Sequence, residues 1–303
     1  MSAHDSPTVA AAPAGRAPRL AVAGLLVGAT GIGFAPIFVG LSETGPAATA
    51  FWRVLIALPL LAAWAALPAG RRAAEGRRIG PAWLILPGVF FAADLGMWHW
   101  ALQFTSAANA TVLTNLAPVL VSLVGWVWLT ERIGPVFVVG LIVAVGGACA
   151  LMAASLSFGA GSLLGDGLGL LTAVSYAGYQ LSVKHVRRRY GPAVVMTCAG
   201  VVASLLLLPA AWIAGERLVP ISATGWAMLV ALALVCHIAG QGAIAWALGH
   251  LPVSFSSVTL LWQPVVAAVL AWPILHQPVG ALQAAGGLLV LAGIYLARRG
   301  ARS

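Results

Sequence analysis

Charged side chains are scarce in this 303-residue chain, since only 8% of its residues are Asp, Glu, Lys or Arg while 61% are hydrophobic. A soluble domain carries about 25% charged residues, because its surface has to be hydrated. The chain has too little charge to cover a surface in water. Its composition therefore predicts a protein embedded in a lipid bilayer, in contact with membrane lipids.

Catalytic signatures are missing as well. The sequence contains no H-E-x-x-H motif, no G-x-S-x-G motif and no glycine-rich phosphate loop. Its three cysteines, Cys149, Cys198 and Cys236, lie singly in apolar runs and are expected to be small buried hydrophobes. We expect no metal, no cofactor and no enzymatic activity. The lack of a nucleotide-binding segment also argues against direct ATP-driven pumping.

Long apolar runs fill most of the chain. A helix that crosses a bilayer needs about 20 mostly apolar residues, and these runs lack the period-two alternation of barrel strands. The sequence predicts an all-α membrane protein with ten spans, the first of them uncleaved, after a disordered segment at residues 1–19. The expected spans are 20–42, 48–67, 82–103, 106–129, 134–153, 166–186, 193–213, 223–248, 252–275 and 279–297.

The basic residues predict the orientation. With the N-terminus in the cytoplasm, ten spans place 14 of the 16 Lys and Arg residues on the cytoplasmic side, as the positive-inside rule requires. Arg217 falls outside and Arg53 lies within the second span. This predicts a multi-pass protein of a bacterial inner membrane with both termini cytoplasmic. It also explains the net charge of +9 without nucleic-acid binding, the Arg187-Arg188-Arg189 cluster being expected as a solvated loop.

The chain repeats itself at an offset of 146 residues. Landmark glycines, prolines and tryptophans coincide without a gap: Gly45-Pro46 with Gly191-Pro192, Pro118 with Pro264, Trp126 with Trp272, Gly140 with Gly286 and Gly147 with Gly293. Each copy holds five expected spans, an odd number, so the second copy enters the bilayer in the opposite sense. Inverted repeats of this kind are a recurring plan of transporters that work by alternating access.

Several stretches resemble the EamA family of the drug/metabolite transporter superfamily. They are residues 105–111 (TSAANAT), 116–118 (LAP), 129–132 (LTER), 51–53 (FWR) and 165–166 (GD). The resemblance implies repeats at 20–153 and 154–298, a cytoplasmic tail at 299–303, and export of small metabolites such as amino acids. The chain departs from the family at Gln277, where the second repeat usually carries an acidic residue.

Two charges, Arg53 and Asp94, fall near the bilayer centre of expected spans, where a charge costs at least about 2.5–3.5 kcal/mol. Their depths differ by only about 6 Å at the rise of a helix. We expect an ion pair between them in the outer half of the membrane. It either fixes two helices together or takes part in binding a substrate carboxylate or in proton coupling.

Five expected spans each carry a polar or aromatic stripe at helical spacing. Singly, such a stripe is more typical of helix–helix contact, but together the stripes predict a shared cavity for a small-molecule substrate. The stripe residues are Asp94, Trp98 and Ala101; Thr111, Asn115, Pro118 and Ser122; Tyr176, Tyr179 and Gln180; His237 and Gln241; and Ser256, Thr259 and Gln263.

Four residues have more specific candidate roles. His237 is either a neutral histidine satisfied by a neighbour or a proton relay, because histidine titrates near physiological pH. Trp262 lies too deep for an interfacial belt and is a candidate for stacking on substrate. Pro118 and Pro264 either shape packing or act as paired hinges, since proline interrupts the helical hydrogen-bond ladder.

The sequence thus favours a secondary transporter working by alternating access, and an exporter by its resemblance. Uptake, facilitated diffusion, a polytopic membrane enzyme and a structural subunit stay open as alternatives. Protons as the coupling ion, a monomer or a homodimer are also left open.

Overall fold

The computed structural model describes residues 16–71, 73, 78–105, 107–153, 163–276 and 279–301. Regular structure in these ranges is helical throughout, without a strand. Eight helices in the same ranges are long and apolar enough to cross a membrane. They cover Arg19–Gly40, Pro46–Ala66, Pro81–Trp98, Pro135–Met152, Pro192–Ile213, Ala223–Leu248, Val253–Ile274 and Ala281–Gly300.

The α-helices are numbered in chain order. They are α1 (Arg16–Gly33), α2 (Ala35–Gly40), α3 (Pro46–Ala66), α4 (Pro68–Arg71), α5 (Ile85–Phe104), α6 (Ala107–Thr114), α7 (Ala117–Val127), α8 (Pro135–Met152), α9 (Leu163–Val186), α10 (Pro192–Ile213), α11 (Ala223–Ala231), α12 (Gly242–Leu248), α13 (Val253–Leu260), α14 (Trp262–Leu275) and α15 (Ala281–Gly300). A 3₁₀ turn, Pro81–Leu84, leads into α5, and a π-helical segment, Leu232–Gln241, joins α11 to α12.

Two of the ten expected spans are not among the eight. The expected fourth span is interrupted, because α6 ends at Thr114 and α7 begins at Ala117, which leaves a shorter apolar helix at Thr111–Val127. The expected sixth span is α9, which at 24 residues is long enough but carries Asp166 in its first turn and Lys184 in its last. The structure therefore shows a multi-pass helical protein with eight clear candidate spans. At the N-terminus, α1 begins at Arg16, four residues before the expected start.

Gly-Pro steps begin three of the long helices. Gly45, Gly134 and Gly191 take extended backbone angles at the N-caps of α3, α8 and α10, and a proline follows each as the first helical residue. Proline suits this position because its missing N–H has no partner in the first turn of a helix. Two of these steps, at Gly45 and Gly191, are the pair that coincides at the 146-residue offset.

Two glutamates cap helices of the opposite half of the chain at one end of the bundle. Glu216 accepts the backbone N–H groups of Ala47 and Ala48, at 3.2 and 2.8 Å, in the first turn of α3. Glu43 accepts the backbone N–H and the hydroxyl of Ser222, at 2.8 and 2.6 Å, just before α11. The Ser222 hydroxyl is the main cause that lowers the pKa of Glu43. The reciprocal caps fasten the two halves of the chain together.

A third glutamate and a buried arginine make hydrogen bonds at the other end of the bundle. Glu131 accepts the backbone N–H groups of Val253 and Ser254, at 2.7 and 3.1 Å, and the Ser254 hydroxyl at 2.6 Å. Arg187, expected to be solvated, is only 1% exposed. Its Nε donates to the carbonyl of Ala245 at 3.0 Å, and this bond to α12 explains its burial.

Close helix packing depends on small residues. α8 packs along α15, α3 along α10 and α5 along α9, while α1 lies against the π-helical segment and α12. Between α8 and α15 the backbones touch: a Cβ on Gly147 would lie 2.7 Å from both the carbonyl oxygen of Gly286 and the nitrogen of Val290. A side chain at Gly147 has no room, whereas the adjacent Gly146 has open space within 4 Å.

We predict opposite effects for alanine at these two neighbours. Gly147→Ala should destabilise the protein by about 1–3 kcal/mol, because overpacking forces the helices apart. Gly146→Ala should leave stability unchanged or raise it by up to about 1 kcal/mol, through helix propensity alone. Thermal unfolding in detergent measures both. Equal effects of the two substitutions would show that α8 and α15 do not pack in this way.

Candidate functional site

The segment that carries His237 and Gln241 is wound more widely than an α-helix. It is π-helical from Leu232 to Gln241, and such segments inside α-helices occur frequently at functional sites. His237 and Gln241 are both buried there, at 1% and 3% exposure. This places two of the predicted polar residues in the interior of the bundle.

Phe91 on α5 lies at the centre of the predicted residues. Its ring centroid is 5.1 Å from that of Tyr179 and 5.5 Å from that of His237. The guanidinium carbon of Arg53 lies over the same ring, 5.7 Å from its centroid. Phe91 therefore joins α3, α5, α9 and the π-helical segment in one aromatic cluster.

Two tyrosines of α9 extend this cluster. The rings of Tyr176 and Tyr179 are stacked, with centroids 6.5 Å apart and planes 10° apart. The Tyr179 hydroxyl donates to Oε1 of Gln241 at 3.4 Å, and Nε2 of Gln263 on α14 donates to the Tyr176 hydroxyl at 3.3 Å. Side chains from both halves of the chain thus form one polar and aromatic site.

The two charges of this site do not pair with each other. Within the described residues, neither a hydrogen bond nor an ion pair joins Arg53 to Asp94, so the expected ion pair is not formed. Arg53 is buried at 6% exposure, and its Nε has no hydrogen-bond partner among those residues. Its charge still acts electrostatically on Asp94, Tyr176 and His237. The aromatic ring of Phe91 lies beside the guanidinium where a carboxylate was expected.

Asp94 differs from the other acidic residues that the structure describes. Glu43, Glu131 and Glu216 accept hydrogen bonds at helix starts, and Asp166 accepts one from the Thr105 hydroxyl at 3.0 Å. Asp94 has no hydrogen bond within that part of the chain, and it is only half-buried. Its carboxylate is therefore available to an external partner.

Other buried polar atoms also lack partners in the described part of the chain. Both side-chain atoms of the Gln180 amide and both ring nitrogens of His237 are buried without a hydrogen bond there. The neighbour expected to satisfy His237 is thus not found among those residues. Buried polar groups of this kind are usually hydrogen-bonded, so each is a place where a solute or water could bind.

The remaining predicted residues contact other parts of the bundle. The Trp262 indole N–H donates to the Thr30 hydroxyl of α1 at 3.0 Å. The Asn115 amide lies 3.7 Å from the sulfur of Met152 on α8. Trp98 and Thr111 are half-buried on α5 and α6. Gln277 lies outside the described residues.

The matched prolines coincide with matched helix breaks. Pro118 follows the interruption at residues 115–116, and Pro264 follows the interruption at Leu261, which separates α13 from α14. Residues 115 and 261 are themselves 146 positions apart. The breaks lie close to Asn115, Trp262 and Gln263, so a change of angle there would move predicted site residues.

Sequence reasoning missed Phe91 and Thr30. Phe91 precedes Asp94 by three positions, so extending the polar stripe of that helix backwards would have found it. Thr30 lies in an apolar run, and no pattern distinguishes it. The part of the chain that the structure describes holds no group of three His, Cys, Asp or Glu side chains that could bind a metal, and the three cysteines are free thiols.

Comparison with known proteins identifies the same kind of molecule twice in the chain. The model of the EamA-like transporter family matches residues 19–153 and again 163–299. The chain is similar to a crystal structure with a TM-score of 0.74 at 20% identity, covering 96% of this chain and 99% of that one, which shows the fold alone.

Three curated relatives are all transporters by name. An uncharacterized transporter of Archaeoglobus fulgidus is 25% identical over 266 residues, 86% of this chain and 90% of that protein. The pseudopaline exporter CntI of Pseudomonas aeruginosa is 29% identical over 222 residues, 73% of this chain and 76% of the relative. A probable terminal-alkyne amino-acid exporter of Streptantibioticus cattleyicolor is 30% identical over 271 residues, 88% of each chain.

The unpaired charges lead to a prediction about stability. Arg53→Met and Asp94→Asn should leave the melting temperature unchanged or raise it, because each removes a desolvated charge that has no protein partner. Glu131→Gln should lower it, because a charged acceptor of three hydrogen bonds is lost. Thermal unfolding of the three purified variants compares them directly. A marked loss of stability in Arg53→Met or Asp94→Asn would show that the charge is structural.

Proposed function

The chain belongs to the EamA-like transporter family, and we propose that it is a secondary transporter that exports small zwitterionic organic solutes, such as amino acids, across the bacterial inner membrane. Export is favoured because two relatives are named as exporters, one of an amino acid. Membership of a transporter family favours transport over an enzymatic or a structural role. The substrate is inferred from the charges of the site.

We propose ten spans arranged as two inverted five-helix repeats, at 20–153 and 154–298, with both termini in the cytoplasm. In this arrangement α6 and α7 together form the fourth span and α9 forms the sixth. Helix contacts support it: α3 packs on its 146-residue counterpart α10, and α8 on its counterpart α15. The packing of α1 on the π-helical segment also matches the packing of α9 on α5. Such symmetry gives inward-open and outward-open states of similar energy.

The substrate class is inferred from Arg53 and Asp94, two charges that lack a counter-ion among the described residues. A charge that is held away from water without a counter-ion costs free energy, so buried Arg53 and half-buried Asp94 each favour a partner from outside the protein. A zwitterion supplies both, with its carboxylate at Arg53 and its ammonium group at Asp94. The rings of Phe91 and Tyr176 then offer apolar and planar surface to the rest of the solute.

The helix breaks supply a route for the conformational change. Paired interruptions before Pro118 and Pro264 allow the two halves of each broken span to change angle without loss of a full hydrogen-bond ladder. Asn115 and Gln263 move with them. Slower flux in a Pro118→Ala/Pro264→Ala double variant is expected if these breaks are hinges, and unchanged flux would assign them to packing alone.

We predict that flux depends on both charges of the solute. Purified protein in liposomes should move a zwitterionic amino acid faster than its amide or its deaminated acid. Arg53→Met should reduce zwitterion flux by about 10- to 100-fold, because a hydrogen bond to a charged group contributes about 1.5–3 kcal/mol. Arg217→Met, the same change at an exposed loop position, is the control. Equal flux of all three solutes would contradict the proposed substrate class.

Asp94 is also the candidate for proton coupling, because a proton neutralises its carboxylate when no ammonium group is bound. In that case a pH gradient drives flux in the wild type, and the gradient has no effect on Asp94→Asn. Flux in proteoliposomes with and without an imposed gradient measures this. A gradient response that persists in Asp94→Asn would remove the coupling role and leave solute binding as the function of this residue.

A further inference from the structure

A cavity lies at the other end of the bundle from the Glu43 and Glu216 caps. Its volume is about 370 Å³. The loop after α7, the start of α8, the end of α9 and the loop that precedes α13 line it. The basic residues predict that this end faces the cytoplasm. None of the residues around Phe91 is among its lining residues, so it is separate from the proposed solute site.

The described lining of this cavity, called the basic pocket below, carries more positive than negative charge. Arg132 follows α7, Lys184 lies in the last turn of α9 and Arg188 lies two residues beyond its end, and all three line the cavity together with His250. Glu131 is the acidic residue among the lining residues. Three basic side chains therefore face one carboxylate across the same space.

The Glu131 carboxylate already accepts hydrogen bonds from the protein. Glu131 accepts the backbone N–H groups of Val253 and Ser254, and the Ser254 hydroxyl as well. These bonds occupy N–H groups at the start of α13. An anion in the pocket is therefore recognised by side chains. Lys184 donates to the carbonyl of Leu251 at 2.8 Å, and this contact holds its ammonium group at the cavity wall.

The other walls of the basic pocket are apolar. Phe137 and Phe255 are buried, and Leu129 is half-buried beside them. Two arginines and a lysine with apolar surface next to them suit a ligand that combines a compact anion with an apolar part. Arginine forks bind phosphate oxygens in pairs, and lysine adds a point charge.

We propose that the basic pocket binds a phosphate group, carried either by the head group of an anionic membrane phospholipid or by a soluble phosphate compound. Basic pockets between helices on the cytoplasmic side of a membrane protein are suited to phospholipid head groups. The proposal does not depend on transport, because binding to this pocket is measured without flux.

The test compares two variants with the same loss of charge. Arg132→Gln/Arg188→Gln removes two cations of the pocket. Arg78→Gln/Arg189→Gln removes two exposed cations from the same side of the protein that do not line the cavity. Native mass spectrometry of the full chain measures retained phosphatidylglycerol against phosphatidylcholine. Thermal stabilisation by inorganic phosphate, with chloride at equal ionic strength as reference, measures the soluble anion.

We expect affinity to fall about fivefold for each pocket cation removed, hence roughly 25-fold in the double pocket variant. The control should bind as the wild type does. A loss confined to phosphatidylglycerol identifies a lipid site, a loss confined to inorganic phosphate identifies a soluble ligand, and a loss of both identifies the phosphate group as the common element. If the double pocket variant does not fold, the single variant Arg132→Gln, at an exposed position, should still show the fivefold loss.

Two results would overturn the proposal. One is equal retention of phosphatidylglycerol and phosphatidylcholine by the wild type together with no stabilisation by phosphate above chloride. The other is the same loss of affinity in the pocket variant and in the control, which would assign binding to net charge rather than to this cavity.

Discussion

A charge that is removed from water has to be neutralised by a partner, and inside a bilayer the partners are few. The described part of this chain meets that requirement at four of its five acidic residues by placing them at helix starts or against a hydroxyl group. Arg53 on α3 and Asp94 on α5 are left, and the Arg53 guanidinium lies over the ring of Phe91. They do not neutralise each other, and this is the basis of the proposed binding of a solute that carries both charges.

The rest of the bundle keeps this arrangement in place. Glycine contacts such as that of Gly147 bring α8 and α15 together at backbone distance, and the Glu43 and Glu216 caps fasten one half of the chain to the other. Other elements are irregular, namely the π-helical segment and the two breaks before Pro118 and Pro264. The π-helical segment carries His237 and Gln241, and the two breaks lie at or beside Asn115 and Gln263.

Much of the scaffold could be predicted from the sequence, because long apolar runs, Gly-Pro steps and the 146-residue repeat are local or periodic signals. The helix starts at Pro46, Pro135 and Pro192 follow directly from such steps. The interruption of the fourth span at residues 115–116 was less accessible, since the apolar run continues on both sides of it. Arg187 was expected in a solvated loop because sequence position does not reveal that the carbonyl of Ala245, 58 residues away, accepts its Nε–H.

The candidate site shows the same limit. Helical spacing predicted that Tyr176, Tyr179, His237, Gln241 and Gln263 share one space, and the hydrogen bonds of the two tyrosines bring four of these side chains together. Equal depth in the membrane also predicted that Arg53 and Asp94 are near each other. It gave no information on side-chain direction, and so it predicted an ion pair where the guanidinium instead lies over Phe91. Residues such as Thr30, whose role depends on a single contact from another helix, carry no sequence signal.

The most direct test of the account is a cryo-electron microscopy structure of the protein in a lipid nanodisc with a transported solute bound. The account predicts density for the solute between α3 and α5, with its carboxylate within hydrogen-bond distance of Arg53 and its ammonium group at Asp94. A structure in which Arg53 and Asp94 form an ion pair while the solute binds elsewhere would contradict it.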